Sequence, residues 1–89
     1  MTKKTIAILG STGSIGRQAI DAAKHRGYKV NAMAFGSNLA LGREQIKDIQ
    51  PDYCAVSDVE TAKMLAEDAR SVGTKLFCGA GCIEAMLSE

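Results

Sequence analysis

The sequence has no tryptophan, a single proline, a single histidine and only four aromatic rings, those of Tyr28, Phe35, Tyr53 and Phe77. One proline among 89 residues excludes a polyproline or low-complexity chain, and a hydrophobic content of 46% is that of an ordinary folded domain. Cysteine is also scarce, at three residues: Cys54, Cys78 and Cys82. An odd count without an export signal argues against a disulfide framework and for reduced, buried or half-buried thiols. Cys78 and Cys82, four apart, have the spacing to share a helix face, but with His25 as the sole histidine they lack the further ligands a zinc site needs. Charge of either sign is not in excess. Eleven basic and ten acidic residues leave a net charge of +1, too little field to grip a nucleic-acid backbone or an anionic membrane. No apolar run approaches the roughly 20 residues of a membrane span. Thr2-Lys3-Lys4 leads into strand-like sequence instead of a signal-peptide core, which predicts a soluble, cytoplasmic protein.

What is present is an alternation of short apolar runs with amphipathic segments. Thr5 to Leu9 is a β-branched run ended by Gly10, too short for a helix and expected to be a strand buried on both faces. Ile15, Ala19, Ala22 and Ala23 then recur at helical spacing up to Gly27, a helix stop. Tyr28 to Phe35 alternates Val30, Ala32 and Ala34 with Asn31, Met33 and Phe35, giving a second strand that runs into the turn Gly36-Ser37-Asn38. Leu39, Leu41, Gln45, Ile46 and Ile49 make a weaker helical stripe, interrupted by Gly42 and ended before Pro51. Tyr53 to Val56 is a third strand, Ser57 or Asp58 is placed to cap the next helix, and Ala62, Leu65, Ala66 and Ala69 form that helix's apolar face up to Gly73. Lys75 to Cys78 is a fourth strand, and Gly79-Ala80-Gly81 leads to Ile83, Met86 and Leu87 at helical spacing.

Four strands alternating with helices require a parallel sheet with right-handed crossovers, an α/β Rossmann-like fold. Such folds commonly join two βαβαβ halves. The pattern is therefore an incomplete doubly wound sheet, and residues 1–89 read as the N-terminal part of a larger domain. An open sheet of this kind leaves an edge and apolar surface uncovered, which predicts self-association or marginal stability of the isolated chain.

The chemistry sits in Gly10-Ser11-Thr12-Gly13-Ser14-Ile15-Gly16, a GxxGxxG run between the first strand and the first helix. Gly10 permits the turn off the strand, Gly13 lets the backbone approach a pyrophosphate, and Gly16 lets the helix pack on the sheet. The amides of Gly13, Ser14 and Ile15 are expected to face phosphate at the positive end of the helix, with hydroxyls from Thr12 and Ser14. Three glycines making only a tight turn would give the same run, but here strand, loop and helix agree. An NAD site usually carries an Asp or Glu at the end of the second strand to hold the ribose 2′-hydroxyl, and a carboxylate there repels a 2′-phosphate. This chain has Gly36, Ser37 and Asn38 instead, neutral donors to which Arg43 adds charge, so the segment favours NADP unless it is merely a turn.

With both segments in view, the sequence resembles the 1-deoxy-D-xylulose 5-phosphate reductoisomerase family. The resemblance rests on Ile8 to Gly16, Asp21, Ala34 to Asn38, Glu44-Gln45 and Pro51, and extends over essentially the whole chain. It implies NADP contacts at Thr12, Gly13, Ser14 and Ile15 around the pyrophosphate and at Gly36, Ser37 and Asn38 near the 2′-phosphate. One departure is that many members carry Lys where this chain has Ser37. The family converts 1-deoxy-D-xylulose 5-phosphate to 2-C-methyl-D-erythritol 4-phosphate in isoprenoid biosynthesis. Its members are homodimers that bind a divalent metal, Mg or Mn, through carboxylates expected in a region after Glu89. Asp58 and Glu60 read as helix-start residues and Asp48, Asp52, Glu67 and Asp68 as solvated charges, so no catalytic residue and no metal ligand is assigned here. The chain is accordingly expected to be inactive alone. The competing readings are another GxxGxxG reductase, of the aspartate-semialdehyde dehydrogenase type, and a stand-alone nucleotide-binding module without catalysis.

Overall fold

The computed structural model describes residues 4–89. Strands and helices alternate as β1 (Thr5–Leu9), α1 (Ser14–Arg26), β2 (Lys29–Phe35), α2 (Leu39–Ile49), β3 (Tyr53–Val56), α3 (Val59–Val72), β4 (Lys75–Cys78) and α4 (Cys82–Leu87). All pairings are parallel and the strand order is β1-β2-β3-β4, so the chain winds in one direction. With right-handed crossovers, winding one way places α1, α2 and α3 on one face of the sheet. That face holds the larger core, in which Ile20 and Ala23 of α1, Ile46 of α2, and Ala62 and Leu65 of α3 pack on Ile8, Val30, Met33, Phe35, Cys54 and Val56. The opposite face carries Ala32, Ala34 and Ala55, covered by Cys82 and Met86 of α4.

The sequence reading locates every element, and the structure corrects three details. First, β1 is not buried on both faces. Thr5, Ala7 and Leu9 are exposed, Leu9 at 53%, because α4 lies over β3 and β4 and no described element covers the second face of β1. Second, β2 does not alternate strictly. Ile6 pairs with Val30 but Ala7 with Ala32, so Asn31 is an extra residue that shifts the phase. Val30 therefore lies on the same face as Met33 and Phe35, opposite Ala32 and Ala34. Third, the buried face of α1 is Gly16, Ile20 and Ala23, with Ala19 half-buried, while Ile15 and Ala22 are exposed.

The helix ends follow from capping chemistry. Gly27 and Gly73 end α1 and α3 in the left-handed conformation. Asn38 Oδ1 accepts from the Leu41 amide at 3.2 Å and caps α2. Asp58 caps α3, accepting at 3.0 Å from the Thr61 amide and at 2.7 Å from Thr61 Oγ1. These bonds hold the Asp58 carboxyl below the usual carboxylate range. A carboxyl whose folded value lies below its unfolded value stabilises the fold above the unfolded value, near 3.8, and that contribution disappears as pH falls through the folded value. Asp58→Ala is therefore expected to lower Tm by a few degrees at neutral pH and to converge on the wild type in strongly acidic solution. Thermal melts across that range check it, and an offset independent of pH would contradict the cap.

The carboxylates expected to be solvated charges pair across the surface: Asp48 and Asp52 stay more than half exposed, and Asp68, at 19%, is the one that is largely covered. Asp48 binds Lys24, Asp52 lies 3.2 Å from Lys29, and Asp68 receives Arg43 Nε at 2.9 Å with Lys47 at 3.5 Å. The thiols divide as well. Cys54 and Cys82 are buried while Cys78 is exposed on β4, so Cys78 and Cys82 do not share a helix. Burial, and secondarily the neighbouring Cys82, pushes the Cys54 thiol up to about 12, which keeps it a neutral core group.

Candidate functional site

In a parallel sheet every strand delivers its following loop to the same end, and ligands of open α/β sheets bind outside those carboxyl ends. Here the turns after β1, β2, β3 and β4 gather there and are tied sideways by backbone hydrogen bonds. The amides of Gly10 and Ser11 donate to Ala34 O at 2.7 and 2.9 Å. Ser57 N donates to Phe35 O at 3.1 Å, Asp58 N to Gly36 O at 3.2 Å and Gly79 N to Val56 O at 3.3 Å. The glycine loop and the 36–38 turn, distant in sequence, are thus neighbours.

The three loop glycines answer different demands. Gly10 has φ +76, a conformation that penalises a side chain although nothing stands within 4 Å of where a Cβ would be. Gly16 is required by contact, since a Cβ there would lie 2.0 Å from Gly10 O and 2.8 Å from Ser11 Cα. Gly13 fits neither case. Its φ is −78, and a Cβ would meet only Gly10 O, at an ordinary 3.5 Å. Neither its backbone conformation nor crowding therefore requires a glycine at 13.

Gly13 is also the N-cap of α1 and supplies no side chain to it, whereas α2 and α3 are closed by Asn38 and Asp58. One expectation needs correction. The Gly13 amide is not free, because it closes a turn onto Gly10 O at 3.1 Å. The amides of Ser14 and Ile15 have no acceptor among the described residues, as the first turn of a helix dictates. They stand at the positive end of the 13-residue helix α1, where an anion is favoured by the helix dipole. Thr12 is half-buried, Ser14 is exposed, and Ile15 is 81% exposed. Helical periodicity counts Ile15 toward the core; the helix phase, fixed by the buried Gly16, turns it outward beside the loop.

Gly36, Ser37 and Asn38 are all exposed at the end of β2. Because Asn38 Oδ1 is used in the cap, its side-chain NH2 remains as the outward donor. Arg43, expected to add charge here, points elsewhere: Nε donates to Asp68 and a terminal nitrogen donates to Met64 O at 3.3 Å. Its pairing with Asp68, a residue of α3, is tertiary and carries no local sequence signal. Asp58 adjoins this turn through its backbone but directs its carboxylate into α3, so no acidic side chain takes the place of a ribose-binding carboxylate.

Between these segments lies a cleft of about 230 Å³ lined by Gly10, Phe35, Gly36, Ser57, Cys82 and Ile83. It is smaller than the roughly 300 to 1,000 Å³ of complete small-molecule pockets and suits part of an extended ligand. A groove of about 440 Å³ between α1 and α2 is larger, but it is lined by charges of both signs and lies along the helices instead of across the strand ends. The cleft touches both segments, through Gly10 and Gly36, and so marks the candidate site; the Ser14 and Ile15 amides and the donors of Ser37 and Asn38 lie on those same segments without lining it. Ser57, Ile83 and the buried Gln45, whose amide reaches the loop, are parts of this end that sequence reasoning did not assign. Among the described residues, no group of three or more His, Cys, Asp or Glu is placed to hold a metal, and no helix is long and apolar enough to cross a membrane.

Comparison with known proteins gives concordant results. The family model of 1-deoxy-D-xylulose 5-phosphate reductoisomerase matches residues 6–89. A 1-deoxy-D-xylulose 5-phosphate reductoisomerase of Ruminiclostridium cellulolyticum is 41% identical over 76 residues, covering 85% of this chain and 20% of the relative. Among solved structures, the Zymomonas mobilis reductoisomerase in complex with NADPH superposes with a TM-score of 0.85 at 22% identity, over 96% of this chain and 23% of that one. A reductoisomerase in complex with magnesium gives 0.84, also at 22% identity, over 99% of this chain and 23% of that one. The structures establish the Rossmann-like fold. The chain spans about a fifth of the length of the curated relatives it matches.

Proposed function

Since the chain belongs to the 1-deoxy-D-xylulose 5-phosphate reductoisomerase family, we propose that it forms the N-terminal NADP-binding portion of such an enzyme. The observation that carries this reading is the uncapped start of α1 beside a glycine that the fold does not itself require. A pyrophosphate set against Gly13 would accept from the Ser14 and Ile15 amides and from the hydroxyls of Thr12 and Ser14. Gly36, Ser37 and Asn38 would receive the adenosine 2′-phosphate, with Ser37 and the Asn38 NH2 as donors and the α2 N-terminus contributing its dipole.

In the whole enzyme, NADPH would supply hydride in the conversion of 1-deoxy-D-xylulose 5-phosphate to 2-C-methyl-D-erythritol 4-phosphate. The related structure with bound magnesium supports a divalent metal there. Among the described residues no cluster of carboxylates is placed to hold that metal, which supports a part limited to binding and orienting the cofactor, and alone the chain is expected to turn over no substrate. A homodimeric assembly and a cytoplasmic location accompany this reading on the strength of the family resemblance. The match over residues 6–89 favours it over an aspartate-semialdehyde-type reductase.

Calorimetric titration of the chain with NADPH and NADH tests the proposal. With no carboxylate, no lysine at 37 and Arg43 engaged by Asp68, discrimination rests on neutral donors and the helix end. NADPH is expected to bind about tenfold tighter than NADH, equivalent to roughly one hydrogen bond to a charged group. Tighter binding of NADH would refute the assignment of the 36–38 turn.

A further inference from the structure

On the reading that the glycine loop receives the pyrophosphate, we propose that Gln45 is a positioning residue whose side-chain amide fixes that loop from α2. Gln45 Nε2 donates to Ser11 O at 2.8 Å across 34 residues of sequence. Among the described residues, this is the one side-chain hydrogen bond from outside the loop that reaches Gly10 to Gly16. Gln45 is 7% exposed and Ser11 fully buried, so the bond forms out of water, where breaking it leaves a carbonyl unsatisfied.

The position is chemically expensive in a way that packing does not explain. Gln45 Oε1 has no partner, and neither has the Ser11 hydroxyl. A methionine or leucine would fill the same volume without burying an unpaired acceptor. What those residues lack is a neutral donor long enough to reach Ser11 O. The unpaired Oε1 is therefore tolerated for the sake of the Nε2 contact, and the contact serves the loop.

The placement on α2 extends the consequence. Asn38 begins this helix at the 36–38 turn, Gly42 seats it against the Phe35 ring, and Gln45, two turns along, holds the loop after β1. One rigid helix thereby fixes the separation of the two segments that would hold opposite ends of the adenosine diphosphate unit. Loss of the Gln45 amide would let the loop move relative to the 36–38 turn while both keep their local conformations.

The test is titration of the chain with NADP+ for the wild type, Gln45→Met and Gln45→Glu, between neutral pH and about pH 5, above the ordinary glutamate value of about 4.3. Gln45→Met keeps length and apolar volume but has no donor, and about tenfold weaker binding is expected at every pH. Gln45→Glu presents a carboxylate to Ser11 O at neutral pH and binds weakly. Burial raises the value of that carboxyl, and once protonated its O–H donates to Ser11 O, so its affinity relative to wild type recovers as pH falls. The charged groups facing position 45 are Arg17, Asp21 and Lys24 of α1 and Glu44 and Asp48 of α2. Their own titration is common to all three proteins and cancels in the ratio to wild type. A carboxylate at 45 also repels the cofactor phosphates, so the uncharged Gln45→Met is the variant that isolates the hydrogen bond.

Wild-type affinity in Gln45→Met, or a Gln45→Glu ratio that does not change with pH, would overturn the proposal. If the wild type itself does not bind NADP+, the cofactor reading fails, and the positioning role is then decided by amide exchange without ligand. The amides of Gly13 and Arg17, which donate to Gly10 O and Gly13 O, are expected to exchange faster in Gln45→Met while α3 is unchanged. Equal exchange at Gly13 and Arg17 would overturn it. Should Gln45→Glu not fold, Gln45→Met decides the matter through the same exchange comparison.

Discussion

Gly16→Ala is expected to lose nucleotide binding and to destabilise the fold by at least about 3 kcal/mol, the upper end of overpacking costs. The added methyl would lie 2.0 Å from Gly10 O, 2.8 Å from Gly10 C and 2.8 Å from Ser11 Cα. All three atoms are backbone, so no side chain can rotate away. The loop cannot yield freely either, because the Gly10 and Ser11 amides are bound to Ala34 O and Ser11 O is held by Gln45. Relief requires α1 to lift from the sheet or the loop to abandon those bonds. A domain of this size has on the order of 5 to 10 kcal/mol of stability in total, so the loss is a large fraction. Thermal melts should show Tm lower by roughly 12 to 24 °C.

Gly13→Ala is the control that separates fold from function. Its methyl meets Gly10 O at an ordinary 3.5 Å and its φ of −78 suits any residue. Gly13→Ala is expected to melt near the wild-type temperature and yet bind NADP+ poorly, because the methyl stands where the pyrophosphate would approach. Binding at wild-type strength would show that nothing approaches Gly13 closely.

This contrast indicates what the sequence makes legible. The spacing of Gly10, Gly13 and Gly16 between an apolar run and a helical pattern reveals a strand, loop and helix, but not that the three glycines have three different causes. Strand and helix positions are readable because local periodicity and stop residues such as Gly27 and Gly73 determine them. Phase is less readable. Asn31 as an extra residue in β2 depends on pairing with β1, and the outward turn of Ile15 depends on Gly16 fixing how α1 lies on the loop. Long-range polar partners are not readable at all. Arg43 looks available for a phosphate until Asp68, 25 residues on, is seen to hold it, and Gln45 looks like one member of a helical stripe until its reach to Ser11 is seen.

Gly42 shows the same limit and gives the second large expected effect. In the middle of α2 a glycine lowers intrinsic helix stability, and replacing it with alanine should by propensity alone gain about 1 kcal/mol. The structure reverses that sign. A Cβ at 42 would lie 2.2 Å from Phe35 Cζ, 2.5 Å from Cε2 and 2.9 Å from Cε1. The ring is 5% exposed between α2 and the sheet, so it has no open space to swing into. Overpacking of up to about 3 kcal/mol outweighs the propensity gain and leaves Gly42→Ala about 2 kcal/mol less stable, with Tm lower by roughly 8 to 16 °C. The disturbance does not stay in the core. Phe35 directly precedes Gly36, and the Gly42 amide donates to Asn38 O at 2.9 Å, so displacing either ring or helix moves the 36–38 turn. The preference for NADPH over NADH should therefore shrink along with stability. Shortening the ring in Phe35→Leu is expected to restore much of the Tm lost to Gly42→Ala, which a double-mutant cycle would measure as a favourable coupling. A higher Tm for Gly42→Ala alone would mean that the ring gives way more easily than its burial implies, and that helix propensity governs this position after all.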